Sequence, residues 1–299
     1  MSNHLSRRKA IQQLSAGALA VGLAPVAQAM SNPTNMEISN ALKGNINHSV
    51  CYWTLSSMPL EELCIQLKKW GVKAVDLLTP SEFATAKKHG IECSMCYTAG
   101  KVSLTEGWNN PANHEWLIKD FTEAIPVVAA AGYKNLICFS GNRNGMDDVT
   151  GLKNCVTGLK KIMPLAEKHG VIIQMELFNS RVDHKDYMCD KSEWGIELCK
   201  QLGSDNFKLL FDIYHMQINE GDIIRSIKNN HQYFGHYHTA GVPGRNEIDE
   251  TQELYYPAIM RAIVATGYKG YVAQEFISKG KDNAAKLDAV HKAIKICDV

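Results

Sequence analysis

The stretch VIIQME, Val171–Glu176, is an apolar run that ends on a carboxylate. Three runs of the same kind follow it: KLLFD at Lys208–Asp212, FGHYH at Phe234–His238 and YVAQE at Tyr271–Glu275. Their last residues are separated by 36, 26 and 37 positions, and each interval has about the length of one strand and one helix. If these runs are neighbouring parallel strands, their four polar ends meet at one edge of the fold.

Short apolar runs alternate with longer amphipathic runs along most of the chain, a pattern typical of a parallel α/β fold. The predicted strands number eight, which closes a (β/α)8 TIM barrel. They are His48–Trp53, Ala74–Leu78, Glu92–Tyr97, Asn135–Ser140, Val171–Glu176, Lys208–Asp212, Phe234–His238 and Tyr271–Glu275. The predicted helices are Pro59–Gly71, Pro80–His89, Asn113–Ala131, Val149–His169, Lys191–Leu202, Asp222–Asn230, Pro257–Gly267 and Asn283–Cys297.

No linker, charge block or low-complexity run interrupts residues 48–299, so we predict that they form one domain. An open doubly wound sheet is the alternative. It usually carries a glycine-rich phosphate-binding turn after the first strand, where this chain has Tyr52-Trp53-Thr54. The sequence therefore favours the barrel.

The first 29 residues resemble an export signal. Arg7-Arg8-Lys9 precedes the small and apolar stretch Leu14–Ala29, which closes on a small-x-small cleavage site. The paired arginines resemble a twin-arginine signal, although Ala10 stands where a bulky apolar residue is expected. The stretch is shorter than the ~20 residues of a membrane span and contains Pro25, so we expect no stable membrane anchor. We predict cleavage after Ala29, export to a bacterial periplasm, and a linker at residues 30–47.

Composition narrows the classes of partner and fold. The formal net charge is +1 with interspersed signs, which provides no basic field to hold a nucleic acid. The hydrophobic content of 45% is ordinary for a globular protein, so a large core is expected. Nine cysteines are an odd number in a chain too long to need disulfides. We interpret them as small buried hydrophobes.

The four polar strand ends form a candidate metal site. Glu176, Asp212, His238 and Glu275 are three carboxylates and one imidazole. Hard oxygen-rich ligands of this kind suit Mn²⁺ or Mg²⁺, with Zn²⁺ and Co²⁺ as alternatives. Taken singly, Asp212 could cap a helix and His238 could be a core histidine. Four such residues in phase at strand ends favour one divalent-metal site.

The chain resembles the hydroxypyruvate isomerases of the xylose-isomerase-like superfamily of sugar isomerases and epimerases. The resemblance covers about residues 45–299 and is carried by the segments Met175–Asn179, Phe211–Gln217, Gly235–His238, Pro243–Glu247 and Gln274–Phe276. It implies a TIM barrel with one divalent metal held by the residues that match Glu176, Asp212, His238 and Glu275, and it implies a homodimer. Many hydroxypyruvate isomerases carry glutamine at the third ligand position. The ketose 3-epimerases carry histidine there, as this chain does with His238.

By the same resemblance, Glu176 and Glu275 are the catalytic pair that removes and returns a proton beside a carbonyl group. We therefore expect a metal-dependent isomerase that acts through an enediolate, converting hydroxypyruvate to tartronate semialdehyde. A ketose 3-epimerase or another sugar isomerase is the alternative within enzymes. A non-catalytic sugar-binding protein is the alternative in another class, but it would not need a carboxylate on each side. Hydrolysis of abasic DNA would require more histidines and a basic groove.

Other side chains are candidates for binding a small sugar or hydroxy-keto acid. His215 follows Asp212 by three residues and would donate to a substrate oxygen. Arg245 would pair with a substrate carboxylate or hold the Glu247 region of its own loop. The loop after the fifth strand contributes Asn179, His184 and Arg181, and an apolar wall would come from Trp53 and Trp108.

Overall fold

The computed structural model describes residues 41–299. The predicted export signal, residues 1–29, and residues 30–40 of the predicted linker lie outside this range. Eight parallel strands form one sheet: β1 Asn47–Cys51, β2 Ala74–Asp76, β3 Glu92–Cys93, β4 Asn135–Cys138, β5 Ile172–Glu176, β6 Phe207–Asp212, β7 Phe234–Thr239 and β8 Tyr271–Gln274. Each corresponds to a strand predicted from the sequence.

The strand order closes the sheet on itself. It runs β3-β2-β1-β8-β7-β6-β5-β4, with every neighbouring pair parallel. Beyond β3, Cys96 forms isolated bridges with Leu78 on one side and with Leu136 of β4 on the other. The fold is therefore the eight-stranded barrel that the sequence predicts, with β2 and β3 shorter than the predicted Ala74–Leu78 and Glu92–Tyr97.

Within residues 41–299, ten α-helices lie between and after the strands. They are α1 Leu60–Trp70, α2 Phe83–Lys88, α3 His114–Ala130, α4 Asp148–Leu159, α5 Met163–His169, α6 Ser192–Leu202, α7 Ile213–Asn219, α8 Ile223–Asn230, α9 Tyr256–Ala265 and α10 Asn283–Cys297. Short 3-10 helices occupy Tyr52–Leu55, Pro80–Glu82, Pro111–Asn113 and His231–Tyr233.

Two helical predictions differ from the structure. The single helix predicted over Val149–His169 is wrong, because the chain forms α4 and α5 with a break between them. Pro164 at the start of α5 lacks the backbone N–H that a continuous helix would need. The second difference is α7, which begins directly after β6 and is not among the predicted helices.

The ends of the described chain meet near the N-terminal end of β1. The backbone N–H of Lys43 donates to Asp298 Oδ2 at 2.9 Å, and His48 Nε2 lies 3.5 Å from Asp298 Oδ1. Both Asp298 and His48 are buried. This contact fixes residues just before β1 against the end of α10.

All nine cysteines are free and buried, as expected of small hydrophobes. Within residues 41–299, no helix has the length and apolar character needed to cross a membrane.

Candidate metal centre

Four buried side chains converge at the C-terminal ends of adjacent strands. Glu176 ends β5, Asp212 ends β6, His238 is the penultimate residue of β7, and Glu275 follows β8 directly. One ligand atom from each lies within 4.8 Å of the others. The parallel register brings them together, since Asp212 pairs with His238 and His238 pairs with Ala273 across the sheet. The structure thus gathers the four residues singled out from sequence.

The imidazole of His238 lies between two sets of carboxylates. Its Nδ1 lies 2.9 Å from Glu275 Oε2 and 3.2 Å from Glu176 Oε1. Its Nε2 lies 2.8 Å from Asp76 Oδ2. One ring nitrogen therefore faces the four-residue cluster, and the other faces Asp76 at the end of β2.

The two carboxylate oxygens of Asp212 have different surroundings. Asp212 Oδ1 accepts a hydrogen bond from the backbone N–H of His215 at 3.0 Å and so caps α7. Asp212 Oδ2 has no hydrogen-bond partner among the described residues. The capping role and the ligand role considered from sequence are therefore compatible, because each uses a different oxygen.

Glu275 is held by hydrogen bonds on both oxygens. Trp53 Nε1 donates to Glu275 Oε1 at 2.9 Å, and Arg245 Nη2 donates to Glu275 Oε2 at 2.6 Å. The Arg245 guanidinium also lies 3.9 Å from Asp212 Oδ2 and packs over the rings of Trp53 and Tyr214. Arg245 thus does not hold the Glu247 region, one of its two predicted roles; it borders the carboxylate cluster.

The charges in this buried cluster shift the pKa values strongly. Burial raises the pKa of Glu176 to about 8, and the charge of Glu275 adds to the rise. Burial also raises the pKa of Asp212 to about 7, against the opposing charge of Arg245. Burial would raise the pKa of Glu275 too, but the charges of His238 and Arg245 hold it well below its usual range.

The residues present fit a divalent cation. Glu176 Oε1 and Asp212 Oδ2 are buried without hydrogen-bond partners in the described chain, and both belong to the converging set. Burying carboxylates this close together is costly unless a positive charge compensates them. Three carboxylates and one imidazole make an oxygen-rich ligand set of the kind that hard divalent ions prefer.

His215 and Asn179 form a buried pair beside the cluster. Asn179 Nδ2 lies 2.6 Å from His215 Nδ1, so the amide donates to that nitrogen and the ring proton resides on Nε2. His215 Nε2 lies 3.7 Å from Asp212 Oδ2 and has no hydrogen-bond partner within residues 41–299. Burial lowers the pKa of His215 well below its usual value, which keeps the ring neutral. This N–H is available to a ligand.

The remaining predicted contacts divide between the site and the core. The ring of His184 stacks on Phe178 at 4.2 Å and lies 5.2 Å from the ring of His215, so it belongs to the site. Arg181 is exposed. Trp53 reaches Glu275, whereas Trp108 packs against His114 and Phe121 in the core. The proposed apolar wall of two tryptophans is therefore wrong for Trp108.

Asp76 was missed by the sequence analysis. The predicted strand Ala74–Leu78 contains it, but the candidate site predicted from the sequence does not include it. The available signal was its position, because a carboxylate in a strand buried on both faces requires a partner. Its partners are His238 and His236, whose Nε2 lies 3.1 Å from Asp76 Oδ1.

Comparison with known proteins places this geometry in a family. A family model described as the xylose isomerase-like TIM barrel matches residues 67–296, well over half of the chain. The chain belongs to the xylose isomerase-like TIM barrel family. All four residues of the cluster lie within the part that matches the family.

Curated relatives in this family carry isomerase names. The chain is 37% identical to the 2-oxo-tetronate isomerase of Cupriavidus necator over 111 residues, 37% of this chain and 42% of that protein. It is 30% identical to the putative hydroxypyruvate isomerase of Xenopus laevis over 129 residues, 43% of this chain and 46% of that protein. These matches span less than half of each relative. A longer match, 27% identical over 228 residues, covers 71% of this chain and 86% of the 2-oxo-tetronate isomerase of Haemophilus influenzae.

Solved structures share the fold at low sequence identity. The crystal structure of AP endonuclease, family 2, from Brucella melitensis has a TM-score of 0.71 at 22% identity, and the match covers 80% of this chain and 96% of that one. The D-psicose 3-epimerase from Clostridium cellulolyticum has a TM-score of 0.70 at 17% identity, with 85% and 100% covered. These likenesses show the barrel fold alone.

Proposed function

We propose that this protein is a divalent-metal-dependent isomerase that acts on a small 2-oxo hydroxy acid through an enediolate. The observation that carries the proposal is the buried set Glu176, Asp212, His238 and Glu275, in which two carboxylate oxygens have no hydrogen-bond partner among the described residues. The isomerase names of the curated relatives support the reaction class. The hydroxypyruvate isomerase expected from the sequence is one member of this class.

The chain's own residues suit proton transfer beside a carbonyl group. Glu176 and Glu275 both contact His238 Nδ1 but differ in their surroundings, so one carboxyl can hold a proton while the other is ionised. A divalent ion bound by the four residues would polarise the substrate carbonyl and stabilise negative charge that develops on it. The His215 Nε2 proton would bind a substrate oxygen at the edge of the cluster.

Arg245 and the names of the relatives both support a substrate that carries a carboxylate. The guanidinium lies at the edge of the cluster, and its buried Nε has no hydrogen-bond partner within the described chain. An arginine with a free donor is suited to a planar carboxylate, which it can bind through two parallel hydrogen bonds. Hydroxypyruvate and 2-oxo-tetronate both carry such a group.

A ketose 3-epimerase is the second candidate function. It is favoured by His238, because histidine at the third ligand position is the choice of the ketose 3-epimerases in the resemblance stated above. The same pair of carboxylates would serve this reaction, since an epimerase returns the proton to the other face of the same carbon.

Deuterium wash-in tests the proposed function. The protein beginning at Met30 would be loaded with Mn²⁺ in heavy water and supplied with hydroxypyruvate, 2-oxo-tetronate or a panel of ketoses. We expect metal-dependent exchange with a 2-oxo acid, lost in Glu176→Gln and in Glu275→Gln. Glu247→Gln is the matched control, because that carboxylate accepts from Ser278 Oγ and Lys279 N outside the cluster.

The labelled carbon separates the two candidates. Deuterium on the former carbonyl carbon indicates isomerisation. Deuterium on the carbon that lost its proton, with inverted configuration there, indicates epimerisation. Absence of exchange on every substrate, with Mn²⁺ bound, would contradict both and favour a binding protein.

We also propose that the chain is exported with cleavage after Ala29 and that it forms a homodimer. N-terminal sequencing of the periplasmic fraction, expected to begin at Met30, tests export. Light scattering of the purified protein, expected to give twice the chain mass, tests the dimer.

A further inference from the structure

A second buried polar cluster lies beneath the four-residue site. Asp76, the last residue of β2, has no exposed surface. Its Oδ2 lies 2.8 Å from His238 Nε2, and its Oδ1 lies 3.1 Å from His236 Nε2 and accepts a hydrogen bond from Ser94 Oγ. Cys51 Sγ lies 3.5 Å from Asp76 Oδ2. Of the four residues of the metal centre, Asp76 contacts His238.

A carboxylate buried this completely requires a reason. Moving an ionised carboxylate out of water costs several kcal/mol unless hydrogen bonds and opposite charges compensate it. The partners of Asp76 come from three different strands or strand ends, so its orientation is fixed from both sides. Ser94 is itself held, because its Oγ lies 2.5 Å from Ser49 Oγ. The side chain is thus a rigid acceptor directed at His238.

A rigid carboxylate can hold the one N–H of an imidazole whose other nitrogen binds a metal ion. An ionised carboxylate only accepts hydrogen bonds, and a neutral imidazole has one N–H and one lone pair. Both ring nitrogens of His238 face carboxylates: Nδ1 faces Glu176 Oε1 and Glu275 Oε2, and Nε2 faces Asp76 Oδ2. Once Nδ1 gives its lone pair to an ion, the N–H must be at Nε2, where Asp76 accepts from it.

We propose that Asp76 is a positioning residue for the metal centre: it holds His238 so that the Nδ1 lone pair is directed at the ion. This inference rests on the proposed metal site and extends it to a residue beyond the four ligands. Carboxylate partners of this kind fix the tautomer and ring orientation of ligating histidines and increase their basicity.

A second metal ion held by Cys51, Asp76 and His238 is the competing interpretation, since their ligand atoms also lie within 4.8 Å of one another. The 2.8 Å between Asp76 Oδ2 and His238 Nε2 is the length of a hydrogen bond, which joins the two side chains without an ion. The number of ions that the protein binds decides between the two interpretations.

Two variants test the positioning role. In Asp76→Asn, the amide can donate to His238 Nε2 and so favour the tautomer with the proton on Nδ1, where it blocks the ion. We expect the affinity for Mn²⁺, measured by titration calorimetry, to fall about 10- to 100-fold. Ser94→Ala keeps the carboxylate but frees its rotation, so a smaller loss in the same direction is expected. It also keeps the test decisive if Asp76→Asn fails to fold.

Asp298→Asn is the matched control. Asp298 is also buried and also lies beside a histidine, but it is near the N-terminal end of β1, away from the metal centre. We expect this variant to lose thermal stability and to bind Mn²⁺ as the wild type does.

A spectroscopic readout that needs no activity completes the test. In Zn²⁺-loaded protein with ¹⁵N-labelled histidine, the His238 signal is identified by its loss in His238→Gln. The wild type should show a proton on Nε2, and Asp76→Asn should lose that state.

The outcomes separate this inference from the proposed site. A wild type that binds no Mn²⁺ would contradict both. One bound ion in the wild type, with equal affinity in Asp76→Asn, would overturn the positioning role alone. Two bound ions, with the second lost in Cys51→Ser, would show that Asp76 is itself a ligand and would also overturn it.

Discussion

The indole nitrogen of Trp53 donates a hydrogen bond to Glu275 Oε1 over 2.9 Å. Together with Arg245, which donates to the other oxygen, this bond leaves Glu275 little freedom. Glu176, by contrast, has one oxygen without a hydrogen-bond partner in the described residues. The two proposed proton carriers are therefore held differently, one fixed as a carboxylate and one able to accept a proton or an ion.

Replacing Trp53 tests how much the fixed orientation of Glu275 matters. Trp53→Phe keeps an aromatic ring beneath Arg245 but removes a hydrogen bond to a charged group, worth about 1.5–3 kcal/mol. We expect kcat and the rate of deuterium wash-in to fall by roughly 10- to 100-fold. Trp108→Phe is the control, since Trp108 packs in the core and should affect only thermal stability. Undiminished exchange in Trp53→Phe would show that Glu275 does not depend on this bond.

Arg245 should distinguish acidic from neutral substrates. In Arg245→Gln the guanidinium fork is lost, so we expect KM for hydroxypyruvate or 2-oxo-tetronate to rise at least about tenfold more than KM for a ketose. Steady-state kinetics on both substrate types measures the ratio. Arg225→Gln, which removes an exposed arginine paired with Asp222 on α8, should leave both KM values unchanged. An equal rise for acids and ketoses would argue against a carboxylate contact.

Metal affinity should depend on pH between about 6 and 8. The pKa of Glu176 is raised to about 8 and that of Asp212 to about 7, so both are largely protonated at pH 6 and must lose protons before they bind a cation. The pKa of Glu275 lies well below its usual range, so that group is already ionised and releases none. The apparent affinity for Mn²⁺ should therefore increase with pH through this window, by roughly tenfold per pH unit for each proton displaced.

Calorimetry in two buffers of different ionisation enthalpy measures this proton release directly. We expect release to be larger at pH 6 than at pH 8.5. An affinity that is constant from pH 6 to pH 8 would mean that the two carboxyl groups are ionised before the metal binds.

Arg143 should stabilise the loop that carries Asn179 and His184. Its Nη2 donates to Met188 O at 3.2 Å and to Asp190 Oδ1 at 2.9 Å, and its Nη1 donates to Tyr187 O. Lysine cannot reproduce this fork, so Arg143→Lys should lose about 1–3 kcal/mol of stability.

Differential scanning calorimetry should show that loss as a decrease in Tm of roughly 2–4 °C per kcal/mol. KM should rise as the loop loosens. Arg181→Lys, in the same loop but exposed, should leave both quantities as in the wild type. A Tm for Arg143→Lys equal to that of the wild type would show that the loop does not depend on this side chain.

The local sequence was sufficient to predict the features that depend on periodicity. The runs ending at Glu176, Asp212 and His238 are apolar because both faces of a parallel strand are buried, and their spacings of 36 and 26 positions leave room for a helical connection between parallel strands. The position of the candidate site could be predicted as well, because parallel strands end at the same edge of a barrel. These are repeated features, and each repetition strengthens the prediction.

Features that depend on contacts across the barrel could not be predicted in this way. Asp76 is separated from His238 by 162 residues, and the sequence around Asp76 does not indicate that its partner is a histidine. Proline gave an ambiguous signal as well. Pro164 lies in the first turn of α5, just after the break from α4, whereas Pro126 lies inside α3 without ending that helix. Packing decides between these outcomes, and packing is not visible in a single segment.

The closure of the barrel through Cys96 has a consequence for its motions. Cys96 N donates to Asn135 O at 2.9 Å, and Ile137 N donates to Cys96 O at 3.0 Å, so this junction within the described chain is far shorter than the ladders of β5 to β8. Local opening begins where the fewest bonds must break. Amide hydrogens of Cys96 and Ile137 should exchange with solvent before those of β6 and β7. The barrel is then expected to open first between β3 and β4, on the side away from the metal ligands.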